Sequence, residues 1–463
     1  ENLESYLERV TPVSQFETVA YWWQNYSKYI TSLLKAWYGD AAQAPTFAFD
    51  YLPRVKGDHS HIALSEAMYE GKIKGLISPG HNTAVSGPNA NIERDALAKL
   101  DWLVVPDLWE TETATFWKRP GVDPSAIKTE VFLLPAAASM EKEGSITNSG
   151  RWSQWRYKCC DPPGEAKSDL WMLTQIINRL KELYSLEGGA FPAPILNLTW
   201  DYGDPNNPDV HEVAKEINGY EYGLVGRSLL SSFTGLKDDG TTSSGNWLYC
   251  GSYTEDGNMA ARRDLTPDKF NIGLYPNWSW CWPVNRRIIY NRCSVDAYGN
   301  PWRPEVPVIK WHPLLRRWEG DVADGGWAPI YEPGTKYPFL MKPDGHGSLF
   351  APYMSAAVPS LADGPMPEHY EPWESPVDNL LSGTQNDPTV TIWPSLVAAK
   401  TPEEIAAYPI VATTYRLTEH WQTGAMTRNL PWLVELMPEM FIELSEELAY
   451  EKDIQKGVWV TRE

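Results

Sequence analysis

The sequence predicts an α/β protein that is organised around a parallel sheet between residues 73 and 156. Three apolar runs in this stretch end at Gly80, Asp107 and Pro135, and each opens into a polar loop. Helix-like spacing separates the first run from the second, and a shorter helical run separates the second from the third. This alternation is typical of a parallel sheet, in which nucleotide-like ligands bind at the carboxyl ends of the strands.

Composition excludes several classes of function. The chain has 463 residues, a net charge of −20 and 23 tryptophans. This acidity argues against binding nucleic acid, which requires clustered lysine and arginine to contact phosphates. Because no apolar run reaches about 18 residues, we expect no transmembrane segment in this chain. The five cysteines form no C-x-x-C pair of the kind found in zinc and iron–sulfur sites, and buried free thiols are the simplest interpretation.

Helices are predicted before and after the sheet-forming stretch in the sequence. Helical apolar spacing covers residues 1–38, and a second helix is predicted for residues 62–69. A third is predicted to begin at Ser168, a residue type that caps helices, and to end near Leu186 before two glycines.

Regular patterns weaken towards the carboxyl terminus. Residues 191–388 are dense in Pro, Gly and Trp, and predict a long segment that wraps other parts of the protein. Strands are predicted at 408–415, at 441–444 and after Gly457, with a short helix beginning at Ser445. These elements favour a β-barrel that is incomplete in this chain.

Three domains are therefore expected. They are an α/β dinucleotide-binding-like domain over residues 1–187, a loop-rich Trp- and Pro-rich connecting segment over 188–390, and an incomplete β-barrel domain over 391–463.

Polar residues follow the first predicted strand. Gly80 permits close approach of the backbone to a ligand, and Asn82 beyond His81 can hydrogen-bond a phosphate or a base edge. A simple turn is the alternative interpretation. No Gly-x-Ser-x-Gly, His-Glu-x-x-His or Walker motif accompanies these residues, so the sequence predicts no catalytic residue and favours binding.

The second predicted strand ends at an acid. Asp107 could accept hydrogen bonds from ribose or guanine, or could cap a helix over residues 111–117. Thr111 and Thr113 could offer hydroxyl or N–H groups to a phosphate at the start of that helix.

Two further loops carry cations. Arg151 follows the third strand and could bind an anion, although a salt bridge is the more ordinary role. Near the carboxyl terminus, two arginines, a histidine and several threonines would suit a phosphate-bearing ligand, although His420 alone could be an internally satisfied loop residue. This second group consists of Thr414, Arg416, His420, Thr423, Thr427 and Arg428.

Long blocks of the sequence resemble the catalytic (alpha) subunits of respiratory formate dehydrogenases, which are molybdopterin oxidoreductases. The blocks are SGPNAN at 86–91, ALAKLDWLVV at 96–105, ETETA at 110–114, FWKRPGVDP at 116–124, KTEVFLLPAA at 128–137, EKEGSITNSGRW at 141–152, DPPGEAK at 161–167, EHYEP at 368–372 and TTYRLTEHW at 413–421. They correspond to the C-terminal half of such a subunit, so we expect a fragment or a split subunit. One departure is Gly80-His81-Asn82-Thr83, where the family commonly has Gly-Gln-Asn-Pro and hence the fixed φ of proline.

The resemblance implies oxidation of formate to carbon dioxide, or the reverse, at molybdenum or tungsten held by two molybdopterin guanine dinucleotides. It implies a periplasmic location, a role in anaerobic respiration, an N-terminal half with a [4Fe–4S] cluster, and an iron–sulfur (beta) electron-transfer subunit as partners. The family's metal ligand and catalytic residues precede the aligned part, so none is assigned here. By motif position the implied cofactor contacts are Gly80, His81, Asn82, Asp107, Thr111, Thr113, Thr147, Asn148, Thr414, Arg416, His420, Thr423, Met426 and Thr427.

Two alternatives stay open at this point. A non-catalytic scaffold subunit could share the fold and lack the metal. The Trp-rich loops could instead stack on sugars in a carbohydrate-binding protein, although the family blocks favour this less.

Overall fold

The computed structural model divides into two compact units. Unit 1 holds the described residues of Glu1–Gly57 and Ala136–Tyr370, and unit 2 holds those of Asp58–Pro135 and Gln385–Glu463. The structure describes residues 1–11, 25–54, 57, 59–87, 89–147, 153–261, 295–296, 298–305, 307, 309–320, 329, 339–341, 347–349, 406–407, 409–410, 412, 414 and 416–460.

Helices and short strands alternate along the described part. The α-helices are Leu3–Val10, Tyr26–Tyr38, His61–Tyr69, Thr83–Ser86, Ala90–Leu97, Asp169–Glu187, Ala193–Leu196, Val210–Asn218, Pro431–Leu436 and Glu446–Glu451. The first three strands are β1 (Gly75–Ile77), β2 (Trp102–Asp107) and β3 (Glu130–Pro135). Later strands are Gly144–Thr147, Ser153–Arg156, Tyr220–Tyr222, Arg227–Leu229, Thr242–Ser243, Tyr253–Thr254, Gly257–Asn258, Ile309–His312, Arg317–Gly320, Phe339–Met341 and Gly347–Leu349.

The predicted parallel sheet is confirmed in unit 2. Its order is β1-β2-β3, and both pairings are parallel. Leu103 and Val105 of β2 are fully buried against Leu97 and Phe116, and each such side chain contributes about 1.5–3 kcal/mol to folding. The sheet also explains Gly75, because a Cβ there would lie 2.0 Å from the Trp102 ring of the neighbouring strand.

Capping residues set the helix limits that the sequence predicts. The helix His61–Tyr69 begins after Ser60, whose hydroxyl accepts a hydrogen bond from the Ala63 N–H at 3.3 Å. The helix Asp169–Glu187 begins after Ser168 in the same way and ends at Gly188, where φ is +72°. Both predicted helices are confirmed.

Two helices account for the described part of residues 1–38. Leu3–Val10 and Tyr26–Tyr38 pack with Phe47 and Phe49 into a core of unit 1. The predicted loop-rich stretch after residue 191 contains short antiparallel sheets of two or three strands and the helix Val210–Asn218.

The predicted helix over residues 111–117 is wrong. The structure has turns there, followed by a 3-10 helix at Phe116–Lys118. Side-chain hydrogen bonds compete with the helical pattern, since Thr113 bonds to Asn82 and Thr111 bonds to Asp107.

The predicted C-terminal barrel is not confirmed. The described residues between 406 and 460 contain no strand, so the strand expected at 441–444 is wrong. The strand expected after Gly457 is absent from residues 458–460, and its remainder lies outside the described residues. Apolar periodicity alone does not make a strand, because its backbone groups also need a neighbouring strand. The predicted helix after Ser445 is present at Glu446–Glu451. The strand expected at 408–415 falls partly outside the described residues.

Cysteines in the described residues differ in exposure. Cys250 is buried, as expected for a free thiol, but the same expectation is wrong for Cys159 and Cys160, which are exposed. Among the residues that the structure describes, no helix is long and apolar enough to cross a membrane.

Thiol reactivity should follow this difference. Burial raises the pKa of Cys250 to about 12, whereas Cys159 and Cys160 lie in contact with solvent. Since the thiolate is the reactive form, we expect both exposed thiols to be alkylated in the folded protein, with Cys250 protected until unfolding. Peptide mass spectrometry after timed alkylation measures this, and modification of Cys250 at the rate of Cys159 would contradict it.

A half-buried carboxyl of unit 1 should make stability depend on pH. Burial raises the pKa of Glu216 from 4.5 to about 7, although the Tyr202 hydroxyl hydrogen bond at 3.1 Å and the Arg227 charge act in the opposite direction. The fold favours the neutral carboxyl, so the contribution of Glu216 to the free energy of unfolding should be greatest below pH 4.5 and should fall as pH rises towards 7.

The Glu216→Gln variant should lose this pH dependence. It should be more stable than the parent at pH 8 by about 2 kcal/mol, because glutamine never ionises. Urea unfolding at several pH values measures the effect, with Glu212→Gln on the same helix as control. Parallel pH profiles for the parent and Glu216→Gln would refute the assignment.

Candidate functional site

The loop after β1 continues along β2 before it turns. The Ser78 N–H donates to the Val104 carbonyl and the Gly80 N–H to the Pro106 carbonyl, both at 2.8 Å. Gly80 then adopts φ of +61°, with no atom within 4 Å of the position that a Cβ would occupy. The loop therefore leaves open backbone at the carboxyl end of the sheet, where ligands bind in parallel sheets.

The side chain of Asn82 joins this loop to the loop that follows β2. Asn82 is 6% exposed. Its Oδ1 accepts hydrogen bonds from the Thr113 N–H at 3.1 Å and the Thr113 hydroxyl at 2.9 Å. Its Nδ2 donates to Glu112 Oε2 at 2.7 Å and lies 3.4 Å from the Thr423 hydroxyl. Two predicted site residues of the strand-end loops, Asn82 and Thr113, thus meet a third from the C-terminal segment.

A second contact ties the same C-terminal loop to the site. Arg428 Nη2 donates to Glu112 Oε1 at 2.8 Å, so Glu112 bonds to both Asn82 and Arg428. Gly424 allows this arrangement, because a Cβ there would lie 3.0 Å from Cγ of Arg428 and the backbone has φ of +72°.

The two acids of the site have opposite pKa shifts. Burial raises the pKa of Asp107, against hydrogen bonds from the Leu108 N–H at 2.7 Å and the Thr111 hydroxyl at 3.4 Å. Burial also acts on Glu112, but the hydrogen bonds from Asn82 and Arg428 outweigh it and lower the pKa of that carboxyl. Glu112 is therefore an anion in the folded state at neutral pH, held by an amide and a guanidinium.

His420 is satisfied within its own loop. Its Nε2 lies 2.8 Å from the Met437 carbonyl, which can only accept, so this nitrogen carries the proton. Its Nδ1 lies 3.1 Å from the Thr427 hydroxyl, which in turn accepts a hydrogen bond from the Trp421 N–H at 3.2 Å. The structure thus favours a loop-ordering role for His420 and Thr427, while Met426 beside them is exposed.

The remaining predicted site residues belong to several parts of the chain. Thr414 and Arg416 are exposed, and the described part of the chain gives them no hydrogen-bond partner. Thr147 belongs to unit 1, where its hydroxyl lies 2.9 Å from that of Tyr249 and it lines a cavity of about 300 Å³. Asn148 and Arg151 lie outside the described residues.

Two features of unit 2 were not identified from the sequence, and they are the residue Glu112 and a cavity beside His81. Glu112 stands between Thr111 and Thr113, and its place in that run was the only signal available. A second cavity, of about 200 Å³, is lined partly by His61 and His81. Within the described residues, no group of three or more His, Cys, Asp or Glu side chains could hold a metal ion.

Comparisons with known proteins agree with the sequence blocks. Residues 23–179 match the family model described as Molybdopterin oxidoreductase. Formate dehydrogenase 2 subunit alpha (cytochrome c-553) of Nitratidesulfovibrio vulgaris is 47% identical over 99% of this chain and 45% of its own length. Formate dehydrogenase subunit alpha of Megalodesulfovibrio gigas is 44% identical over 98% of this chain and 45% of its own length.

A third relative is the major subunit of the nitrate-inducible formate dehydrogenase of Escherichia coli, with 42% identity over 99% of this chain and 46% of its own length. The resemblance is confirmed, and the chain spans a little under half the length of these relatives. Acetylene hydratase from Pelobacter acetylenicus aligns structurally with a TM-score of only 0.23 and 16% identity, over 37% of this chain and 22% of that one, which carries no argument.

Loss of the Asn82 amide should destabilise unit 2. The Asn82→Ala variant leaves the buried Thr113 N–H without an acceptor and removes a donor from Glu112, so we expect a loss of about 2–3 kcal/mol. Urea unfolding followed by hydrogen exchange of residues 78–87 measures the global and local effects. Asn91→Ala, at an exposed position nearby, is the matched control. Equal stability of the two variants would contradict the network.

Proposed function

Because this chain contains a molybdopterin oxidoreductase domain and aligns over nearly its whole length with formate dehydrogenase alpha subunits, we propose that it is part of a formate dehydrogenase catalytic subunit. The reaction is oxidation of formate to carbon dioxide, or the reverse, with electrons passed on to iron–sulfur clusters. The extent and specificity of the sequence match carry this proposal, since 47% identity covers 99% of the chain.

The family implies a molybdopterin cofactor that carries molybdenum or tungsten. We propose the form with two guanine dinucleotides, a [4Fe–4S] cluster in the N-terminal half of the catalytic subunit, and an iron–sulfur (beta) subunit as electron-transfer partner. A periplasmic location and a role in anaerobic respiration belong to the same proposal. When bound, the metal and its sulfur ligands supply the two-electron chemistry.

The residues at the open edge of the unit 2 sheet fit such a cofactor. Gly80 presents uncovered backbone, and Asp107 offers a carboxylate that can accept hydrogen bonds from guanine N–H or ribose O–H groups. Arg416, exposed in the same unit, would pair with a phosphate. These three residues would bind and orient the cofactor.

Asn82 and Thr113 suit a supporting role in this proposal. The oxygen of the Asn82 amide already accepts two hydrogen bonds from Thr113, and its nitrogen donates to Glu112. They would hold the two strand-end loops in place and leave direct contact to their neighbours.

Cofactor content of the native complex tests the proposal. Molybdenum or tungsten in near-stoichiometric amount, with a pterin released on acid treatment, is the expected result. A complex that contains neither metal nor pterin would overturn it and support a non-catalytic scaffold of the same fold.

The Arg416→Ala variant should retain less cofactor. Removing an exposed guanidinium changes fold stability little, but it deletes the proposed phosphate contact. We expect the metal and pterin content of the purified complex to fall severalfold, with the melting temperature nearly unchanged. Arg303→Ala, at an exposed arginine of unit 1, is the control. Unchanged metal occupancy in Arg416→Ala would show that this residue does not bind the cofactor.

A further inference from the structure

A buried carboxylate lies behind the loop that follows β1. Glu93, on the helix Ala90–Leu97, is 1% exposed. Its Oε2 accepts a hydrogen bond from the Thr83 hydroxyl at 2.6 Å, and its Oε1 lies 3.0 Å from His61 Nε2. A carboxylate in this environment is costly unless it is paired and hydrogen-bonded, and these two contacts satisfy it.

Glu93 and its neighbour Arg94 fix the segment that continues from the loop. Thr83 begins the short helix Thr83–Ser86 directly after Asn82. The Gly87 backbone then passes against the carboxylate, since a Cβ on Gly87 would lie 1.5 Å from Glu93 Oε1. Arg94 Nε donates to the carbonyl of Ala84 at 2.8 Å. Two adjacent side chains of the helix Ala90–Leu97 thus hold the residues Thr83 and Ala84.

His61 connects Glu93 to the loop Gly80–Asn82 itself. Its ring meets that of His81 edge to face, with centroids 5.7 Å apart and planes inclined by 72°. Both rings line the cavity of about 200 Å³. The His81 ring also lies 3.1 Å from the Ser86 hydroxyl. Ser86 belongs to the short helix Thr83–Ser86, whose first residue is bonded to Glu93.

We propose that Glu93 and His61 are positioning residues, which set the conformation that the loop Gly80–Asn82 presents to the cofactor. This inference rests on the proposed function, because the loop is a predicted cofactor contact. Asn82 connects the loop to Thr113 after β2, and Glu93, paired with His61, holds Thr83, the residue that follows the loop. Both residues would therefore act on the cofactor through the loop.

Two replacements of Glu93 separate positioning from simple packing. Glu93→Gln keeps a hydrogen-bond acceptor for Thr83, whereas Glu93→Met keeps the volume and removes the bonds. We expect hydrogen exchange of residues 80–87 to quicken at least tenfold in Glu93→Met and to stay near the parent rate in Glu93→Gln. In the purified complex, pterin and metal content should fall at least twofold in Glu93→Met and recover in Glu93→Gln.

Asp95→Asn, on the same helix as Glu93, is the matched control, since it weakens an ion pair with Arg119 and not a bond to the loop. If Glu93→Met does not fold, His61→Leu takes its place, because it removes the hydrogen bond to Glu93 at a side chain that is itself 38% exposed. Unchanged exchange of residues 80–87, equal quickening in the Gln and Met variants, or quickened exchange with full cofactor content would each overturn the proposal. A parent complex without pterin would instead overturn the proposed function, while the exchange comparison would still decide whether the pair orders the loop.

Discussion

The candidate site of unit 2 depends on the buried amide of Asn82. Two loops at the carboxyl ends of neighbouring strands and a loop from the C-terminal segment meet there, at residues that belong to no helix or strand. The Asn82 side chain accepts from Thr113 and donates to Glu112, so it provides the hydrogen bonds that a strand or helix would provide elsewhere. Loops that carry functional groups need such an anchor, because an unpaired buried amide or carboxylate would disfavour the folded arrangement.

Unit 1 also contains a buried asparagine that connects separate segments of the chain. Asn218 is fully buried at the end of the helix Val210–Asn218. Its Nδ2 donates to the Gly219 and Leu230 carbonyls, and its Oδ1 accepts from the Gly251 and Tyr253 N–H groups. In both units an asparagine, which has two donors and two acceptors on one short side chain, connects segments that are distant in sequence. Tyr253 and Thr147 both line the cavity of about 300 Å³ in unit 1, so this anchor also helps to shape that cavity.

The limits of sequence prediction follow from the range of the interactions involved. The parallel sheet was predictable because apolar periodicity and caps such as Ser168 are local signals. The link between Glu112 and Arg428 spans 316 residues, and nothing local to either residue indicates it. The strand predicted at 441–444 is absent, because an apolar run is a local signal and does not show whether a neighbouring strand is available to pair with it. Thus the positions of strand-end residues could be predicted, whereas the partners of their side chains could not.

The loop Gly80–Asn82 shows how side chains can replace backbone rigidity. Proline, common after the asparagine in the family pattern, would fix φ at that position, but this chain has Thr83 there. The Thr83 hydroxyl instead binds Glu93 at 2.6 Å, the Ser78 hydroxyl binds the His81 carbonyl at 3.0 Å, and the His81 ring lies 3.1 Å from the Ser86 hydroxyl. Three hydrogen bonds thus restrain the segment where one ring would have restrained it. A proline at this position would have no hydroxyl to bind the buried carboxylate of Glu93. Thr83 and Glu93 therefore act together, and the conformation of the loop depends on both.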